Sequence, residues 1–548
     1  MAETKREIER KYESDDSGLP DLTGVAGVAA VIDKGVAELD ATYYDTADER
    51  LAKDAITLRR RTGGGDAGWH LKFPVAPGVR DEIREPLSTA LPRSIAGLVR
   101  SRVRGTDLLP VVRLRSARDV RELTDADGRV LAEVSVDAVR AERLTGTGGQ
   151  AQWTEIEVEL ADGVDVAVLD KIEKRLRKAG VRPSTSPSKL ARALAETAAG
   201  RAEEQAHAEE AEGAETIKAG KKAKAKAKAK AEAGVRAGVK AGAGGGRKAG
   251  KRMDPAGGPL TSGDHVLAYL REQRDTIVGL DPAVRRDLPD SVHRMRVATR
   301  RTRSAFKSYG KLLDRAVTDP IGAELKWLAG ELGVDRDQEV LTERLTDALG
   351  GLPRSLVAGP VRTRLRTWAH ARHGGSRRRL IAVLDGRRYL ALLDALDALI
   401  AEPPLLERAA GKPKKVISKA VRKDVGKLAV LVDQALEQPP GQERDVALHE
   451  ARKKAKRARY AAEAAAPALG DPASELVKSM KSVQSLLGDH QDSVMTREAL
   501  RELSRQAHTA GESSFTYGVL YGREERRAAD VERELPGVWE PLRAGVDL

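Results

Sequence analysis

Near the start of the chain, Arg6 to Glu13 read REIERKYE. As an extended strand, this places Glu7, Glu9 and Lys11 on one face and Ile8, Arg10 and Tyr12 on the other. Two carboxylates and an ammonium in one row are the wrong composition for a core face. The same alternation recurs further on. TLRRRT brings Arg59 and Arg61 together, and WHLKF sets His70 and Lys72 opposite Trp69, Leu71 and Phe73. VRLRS aligns Arg113 with Arg115, and TEIEVEL aligns Glu155, Glu157 and Glu159 opposite Ile156, Val158 and Leu160. Bases on some strands and acids on others suit a closed barrel whose charged rows face inward, with helices over the apolar outside. Interior charges cost on the order of several kcal/mol each unless paired or solvated. Such a lumen stays wet and holds ions: cations surround a phosphate chain, and carboxylates take a hard divalent metal.

Charge is arranged differently in the second half. VHRMRVATRRTRSAF at 292–306 matches LHEARKKAKRARYAA at 448–462 with an offset of 156. His293, Arg296, Arg300, Arg303 and Lys307 fall on His449, Arg452, Lys456, Arg459 and Glu463. Steps of three and four residues draw one stripe along a helix. One position earlier lies an apolar or small stripe: Val292, Met295, Thr299, Thr302 and Phe306, matched by Leu448, Ala451, Ala455, Ala458 and Ala462. LGVDRD, ending at Asp337, is echoed by LGDHQD, ending at Asp492, at an offset of 155. Two motifs repeating at almost one spacing mark the duplication of a bundle of about four helices. Like charges in a row repel one another, so these faces await a multivalent anion, and a basic groove suits phosphate.

The elements that must position these residues fall into three segments. Residues 1–197 carry short alternating runs broken by Gly, Asp and Pro. Strands are expected around Glu7, Tyr43, Ile56–Arg61, Trp69–Phe73, Val111–Arg115, Val130–Val136 and Glu155–Leu160, and helices over Gly24–Glu38, Ser94–Arg102 and Val166–Ala179. Residues 198–258 are Ala/Glu-rich, then KKAKAKAKAK, then Gly-rich, a composition that reads as a flexible tether. Residues 259–540 show Leu, Ala and Val at helical spacing and no strand signal.

Of the formal net charge of +13, a net of +6 falls between Arg201 and Gly258, so the global charge names no particular partner. There is no cysteine, which excludes disulfides, thiolate metal sites and cysteine nucleophiles. No apolar run approaches the roughly 20 residues needed to span a bilayer. The opening MAETKREIER lacks a signal peptide's apolar core. The expectation is a cytoplasmic protein without membrane partners or specific nucleic-acid binding. Nothing in the sequence sets an oligomeric state.

Two resemblances follow. The helical segment resembles the CHAD family on HRMRVATRRTRSAF, LGVDRDQEV, HEARKKAKRARY and LLGDHQD. This implies an all-α domain of two pseudo-symmetric four-helix bundles facing across a basic channel that binds inorganic polyphosphate. The implied ligands are His293, Arg296, Arg300, Arg301 and Arg303, then His449, Arg452, Lys453, Lys456, Arg457, Arg459 and His490. Association with polyphosphate granules follows from the same likeness. Glu463, standing where the first half has Lys307, breaks the symmetry at one end.

The N-terminal segment resembles the CYTH domains, the triphosphate tunnel metalloenzymes. The likeness rests on EIERK, YYDT at 43–46, LRRR at 58–61, LKF at 71–73, EIEVEL at 155–160 and SKL at 188–190. It implies an antiparallel eight-stranded β-barrel tunnel with flanking helices, an α+β domain. Lys11, Arg59, Arg61, Lys72, Arg113, Arg115 and Lys189 would bind phosphates, with Arg118 a further candidate. Glu7, Glu9, Glu155, Glu157 and Glu159 would hold Mg²⁺ or Mn²⁺, assisted by Asp137. Glu7, Glu9 and Lys11 are the implied catalytic set, and Tyr43 or Asp45 would shape the substrate entrance.

The implied activity is metal-dependent hydrolysis of inorganic tripolyphosphate to diphosphate and phosphate. Aromatic residues are only 3% of the chain, which favours that substrate over thiamine triphosphate, ATP for adenylate cyclisation, or an RNA 5′-triphosphate. A non-catalytic polyphosphate-binding scaffold is the competing reading. It leaves the tunnel glutamates unexplained, because carboxylates weaken anion binding unless metal occupies them.

Overall fold

The computed structural model describes residues 3–14, 18–146, 148–198, 260–373 and 376–544. They fall in two compact units, Met1–Gly245 and Gly246–Leu548. The tether expected over 198–258 lies, beyond its first residue, outside the described residues, as does the Asp337 side chain.

The first unit is a ring of antiparallel strands: β1 (Glu3–Glu13), β2 (Ala30–Asp45), β3 (Thr57–Thr62), β4 (Gly68–Ala76), β5 (Val79–Pro86), β6 (Leu109–Thr124), β7 (Val130–Arg143) and β8 (Gln150–Leu160). Neighbours run β5-β4-β3-β2-β6-β7-β8-β1, and β5 pairs back onto β1 to close the eight-stranded barrel. A two-residue β9 (Arg182–Pro183) adds to the end of β1. Register places Lys11 beside Glu157, Glu9 beside Glu159, Arg59 beside His70, Lys72 beside Glu82 and Arg118 beside Asp137. Residues directly opposite share a face, so the charged rows meet one another inside.

The outer face is apolar and covered. The one-turn α1 (Arg50–Lys53) follows β2, and the fully buried Asp45 caps it, accepting from the Thr46, Leu51 and Ala52 N–H groups at 2.7, 2.9 and 2.9 Å. Asp45 is therefore a cap and not part of an entrance. Leu58, Leu71 and Ile83 bury against Ile95 and Val99 of α2 (Arg93–Val103). Tyr12, Ile156 and Val158 bury against Leu169, Ile172 and Leu176 of α3 (Ala167–Lys178). Inside one end of the barrel, α4 (helical over 189–198) brings Leu190 and Ala193 against Ala41, Leu114, Val139 and Trp153. This makes an apolar plug.

The helix expected over Gly24–Glu38 is instead a run of turns and the first half of β2, paired with β6 from Ala30 onward. Ala and Val spacing reads as helical, but ladder pairing with a long neighbour decides. Gly35, at φ +81°, sits in the bulge between Asp33 and Val36.

The second unit is all helical: α5 (Ser262–Arg285), α6 (Ser291–Ser308), α7 (Arg315–Glu331), α8 (Gly333–Gly350), α9 (Val361–His373), α10 (Ser376–Asp385), α11 (Arg387–Ala401), α12 (Pro413–Glu437), α13 (Gln442–Leu469), α14 (Asp471–Thr509) and α15 (Phe515–Ala544). A capping box opens α5: the Asp264 N–H donates to the Thr261 hydroxyl, and the Thr261 N–H donates to the Asp264 carboxylate at 2.7 Å. The repeat helices α6 and α13 pack on each other, and the Tyr309 hydroxyl donates to the Ala461 carbonyl at 2.7 Å. The predicted small stripe is the reason. Ala451, Ala455, Ala458 and Ala462 are all fully buried, letting neighbouring helices approach closely. One apolar core joins α5–α7 to α10–α13, the first half of α14 and the end of α15, and a smaller one joins α8 and α9 to the distal half of α14 and the start of α15.

Because the alanine stripe has no spare volume, Ala455→Leu should cost about 1–3 kcal/mol of stability. Urea unfolding of the full chain followed by helical circular dichroism measures it, and an unshifted midpoint would contradict the packing described.

Candidate functional site

The lumen of the barrel holds a cavity of about 410 Å³ whose lining includes nine Lys or Arg and seven Asp or Glu side chains. Glu157 is the centre of one network. Lys189 Nζ lies 2.6 Å from its Oε1, Arg118 donates to its Oε2 at 2.8 Å, and Lys11 pairs with it as well. Lys189 also lies 2.9 Å from Asp137 and 2.6 Å from Glu155, while Arg118 forks onto Asp137 at 2.7 Å through two nitrogens. Lys11 lies 3.0 Å from Glu9. Burial opposes ionisation of Glu157, but Lys11, Lys189 and Arg118 outweigh it and hold its carboxyl well below the usual range.

A second network centres on Glu82, which is wholly buried. His70 Nδ1 donates to it at 2.9 Å, Lys72 lies 3.4 Å away and Arg59 3.9 Å away. Lys72 also donates to Glu7 at 2.6 Å. Glu82 keeps its charge despite burial because His70, Lys72 and Arg59 surround it. Glu7 is then left as the costly charge. Burial, with Glu82 nearby and only partly offset by Lys72, pushes it up to about 7. His70 is held between Glu82 and the Asp66 carbonyl, 2.9 Å from Nε2. Two acceptors favour the doubly protonated ring, but burial, with Arg59 and Arg61 nearby, wins and lowers its pKa to about 4. Arg61 pairs with Asp66, and burial beside Arg59 and Arg118 lowers it to about 9. Arg59 donates to the Tyr43 hydroxyl at 3.3 Å.

The lumen therefore gathers Glu7, Glu9, Lys11, Arg59, Arg61, Lys72, Glu157, Glu159 and Lys189, with Glu155 buried behind Lys189. It does not gather Arg113 and Arg115. Both pair with Asp40, at 2.5 and 3.7 Å, and their side chains are 39% and 59% exposed. Their strand neighbours Val112 and Leu114 point into the apolar plug, so the basic face of β6 is the outer one here. Further along the same strand, Arg118 has the inward parity and reaches the cavity. Sequence reasoning missed Arg80, Glu82 and Arg84. VRDEIREP carries the same alternation, with these three residues two apart on one face of β5.

Hard carboxylate oxygens fit Mg²⁺ or Mn²⁺, and the oxygens of Asp137, Glu155 and Glu157 lie within 4.8 Å of one another. The expected set is thus divided. Glu155 and Glu157 converge with Asp137, Glu9 and Glu159 line the cavity beside them, and Glu7 is turned to Lys72.

In the helical unit, α6 and α13 set cations side by side. Lys456 is pushed down to about 7 by burial and by Arg300, Arg452 and Arg296. The repeated LG motifs each bring a glycine against one of these arginines, and only at Gly333 does the contact need a glycine. A Cβ on Gly333 would lie 2.8 Å from Arg296 Nη2, and one on Gly488 3.5 Å from Arg452 Nη2. The Arg296 guanidinium lies close against Gly333 through Nη2, Cζ and Nε, while Arg452 meets Gly488 in ordinary contact.

Arg303 is half-buried with Arg300 nearby, His293 is exposed, and His449 bonds Gln491. Lys453 pairs with Glu450 at 2.6 Å and Arg457 lies 3.3 Å from Asp424. Three expected ligands are engaged elsewhere. His490 is 1% exposed and lies 3.1 Å from Glu532 and 3.4 Å from Asp445, a buried ionic network rather than a channel face. Arg301 and Arg459 both pair with Glu463, at 2.9 and 3.3 Å, and lie over the Tyr460 ring. The residue that breaks the symmetry consumes two cations.

Among the described residues, no helix is long and apolar enough to cross a membrane. The family models of the CYTH domain and the CHAD domain match residues 5–194 and 268–501. Two uncharacterized proteins of Mycobacterium tuberculosis, MT2285 of strain CDC 1551 and Rv2226 of strain H37Rv, are each 36% identical over 98% of this chain and 96% of their own. Among solved structures, PptA from Streptomyces chartreusis is 21% identical and covers 51% of this chain and 99% of that one, with a TM-score of 0.44. Matched end to end by those mycobacterial relatives and carrying both domains in order, the chain belongs to the family of proteins that join a CYTH domain to a CHAD domain.

Proposed function

We propose that the barrel hydrolyses short inorganic triphosphates to diphosphate and phosphate, and that the helical unit binds inorganic polyphosphate. The observation that carries the first part is one closed lumen holding nine cations and a carboxylate cluster together. A polyanion receptor alone would gain nothing from the acids. The apolar plug at one end supports a substrate held by its terminal phosphates.

In phosphoryl transfer the protein mainly positions reactants and stabilises spreading charge. Lys11, Arg59, Arg61, Lys72 and Lys189 would neutralise the non-bridging oxygens, joined by Arg80, Arg84 and Arg118. A divalent ion bound by Asp137, Glu155 and Glu157, with Glu9 and Glu159 in reach, would supply Lewis acidity toward a phosphate oxygen or water. Glu7, poised near neutrality beside Lys72, is fitted to accept the proton that water gives up as it attacks.

Glu157→Gln should lower turnover of tripolyphosphate by about 100-fold or more while circular dichroism stays unchanged. In the wild type the rate should rise with pH through about 7, as Glu7 ionises, and Glu7→Gln should flatten that rise. Assays in Mg²⁺ and Mn²⁺ with tripolyphosphate, ATP and thiamine triphosphate decide the substrate. Tight polyphosphate binding with no phosphate release would turn the reading to a scaffold.

For the helical unit, the supporting observation is the cationic face shared by α6 and α13. Gly333→Ala should push Arg296 aside and weaken polyphosphate binding about as much as Arg296→Ala, with little change in stability. Lys456, neutral in part at pH 8, should take up a proton as the polyanion binds, so affinity should fall as pH rises above about 7. Calorimetry in buffers of different ionisation enthalpy reads that uptake directly, and a buffer-independent heat would remove Lys456 from the site.

A further inference from the structure

Building on the triphosphate reading, we propose that Lys189 is an exchangeable counter-ion that couples metal and phosphate binding. Its ammonium occupies the Asp137–Glu155–Glu157 site until a phosphate chain draws it into the lumen.

The three carboxylates present oxygens within 4.8 Å of one another, and Lys189 Nζ lies 2.9, 2.6 and 2.6 Å from one oxygen of each. A divalent ion coordinated by the same oxygens at roughly 2.0–2.6 Å would stand where that ammonium stands. Both cannot be there at once, and two cations in near contact repel strongly.

Among the other cations at the cluster, Arg118 is less free to leave. Arg118 is forked onto Asp137 and bonded to Glu157, held by three hydrogen bonds at 2.7, 2.7 and 2.8 Å. Lys189 is a compact charge on a flexible four-carbon stem at the start of α4, and it also lines the cavity. A phosphate chain in the lumen offers it new oxygens, and its departure leaves carboxylates that a divalent ion then neutralises. Lys11, shared between Glu9 and Glu157, adds to the same exchange. Linkage makes the effect reciprocal: each ligand tightens the other by the same factor.

Mn²⁺ binding to the full chain, followed by electron paramagnetic resonance, tests this with and without saturating imidotriphosphate, whose P–NH–P bridges resist hydrolysis. Mn²⁺ should bind about tenfold or more tightly with the analogue present, after correction for the Mn²⁺–analogue complex formed without protein. Lys189→Met should bind Mn²⁺ alone about tenfold more tightly than the wild type and lose most of the coupling. Equal wild-type affinity in both conditions, or unchanged Mn²⁺ affinity in the variant, overturns the proposal. If the variant does not fold, the wild-type comparison decides alone. An analogue that fails to bind under any condition overturns the triphosphate reading and the phosphate half of this exchange. Independent tight binding of both ligands overturns the coupling only.

Discussion

The barrel depends on charge balance inside a closed ring. Every strand contributes ionisable side chains to the lumen, where a lone ion would be costly. The register answers this by pairing: Lys11 with Glu157, Lys72 with Glu82 and Glu7, Arg118 with Asp137. Acids and bases thus offset one another's charge across the lumen. On the proposed function, the same groups would become a binding surface once a phosphate chain and a cation replaced those internal partners, acid for acid and base for base.

Much of this was legible from side-chain period. For β4 and β8, charged residues two apart with apolar ones between gave the inward face directly, and on β1 and β3, where Arg10 and Arg60 charge the other face too, recurrence of the pattern carried it. The rule failed on β6 because the lumen is not uniform. Where α4 fills it with Leu190 and Ala193, the inside is the apolar side and charge belongs outside, so Arg113 and Arg115 face solvent. Alternation fixes that two faces differ; what lies behind each face decides which is inner. β2 was misread for another reason. Its first half continues the Ala and Val spacing of the residues before it, and only the long β6 beside it makes it a strand.

In the helical unit the offset of the repeat located both basic helices and their buried small stripes. Partner choice was beyond the pattern. Arg301, one position off the stripe, and Arg459, on it, both meet Glu463, and His490 turns inward to Glu532 and Asp445. Such pairings depend on how helices distant in sequence cross. The LG motifs entered the sequence reading only as a repeat, and in the structure Gly333 leaves room for the Arg296 guanidinium.

The plug formed by α4 has a kinetic corollary. On the proposed function, a lumen filled by apolar side chains at that end would not be threaded through it, so a long polymer would be attacked from its termini. Velocity would then track the molar number of free ends rather than the mass of phosphate supplied. Products would also have to retreat past the incoming chain through the mouth by which it arrived.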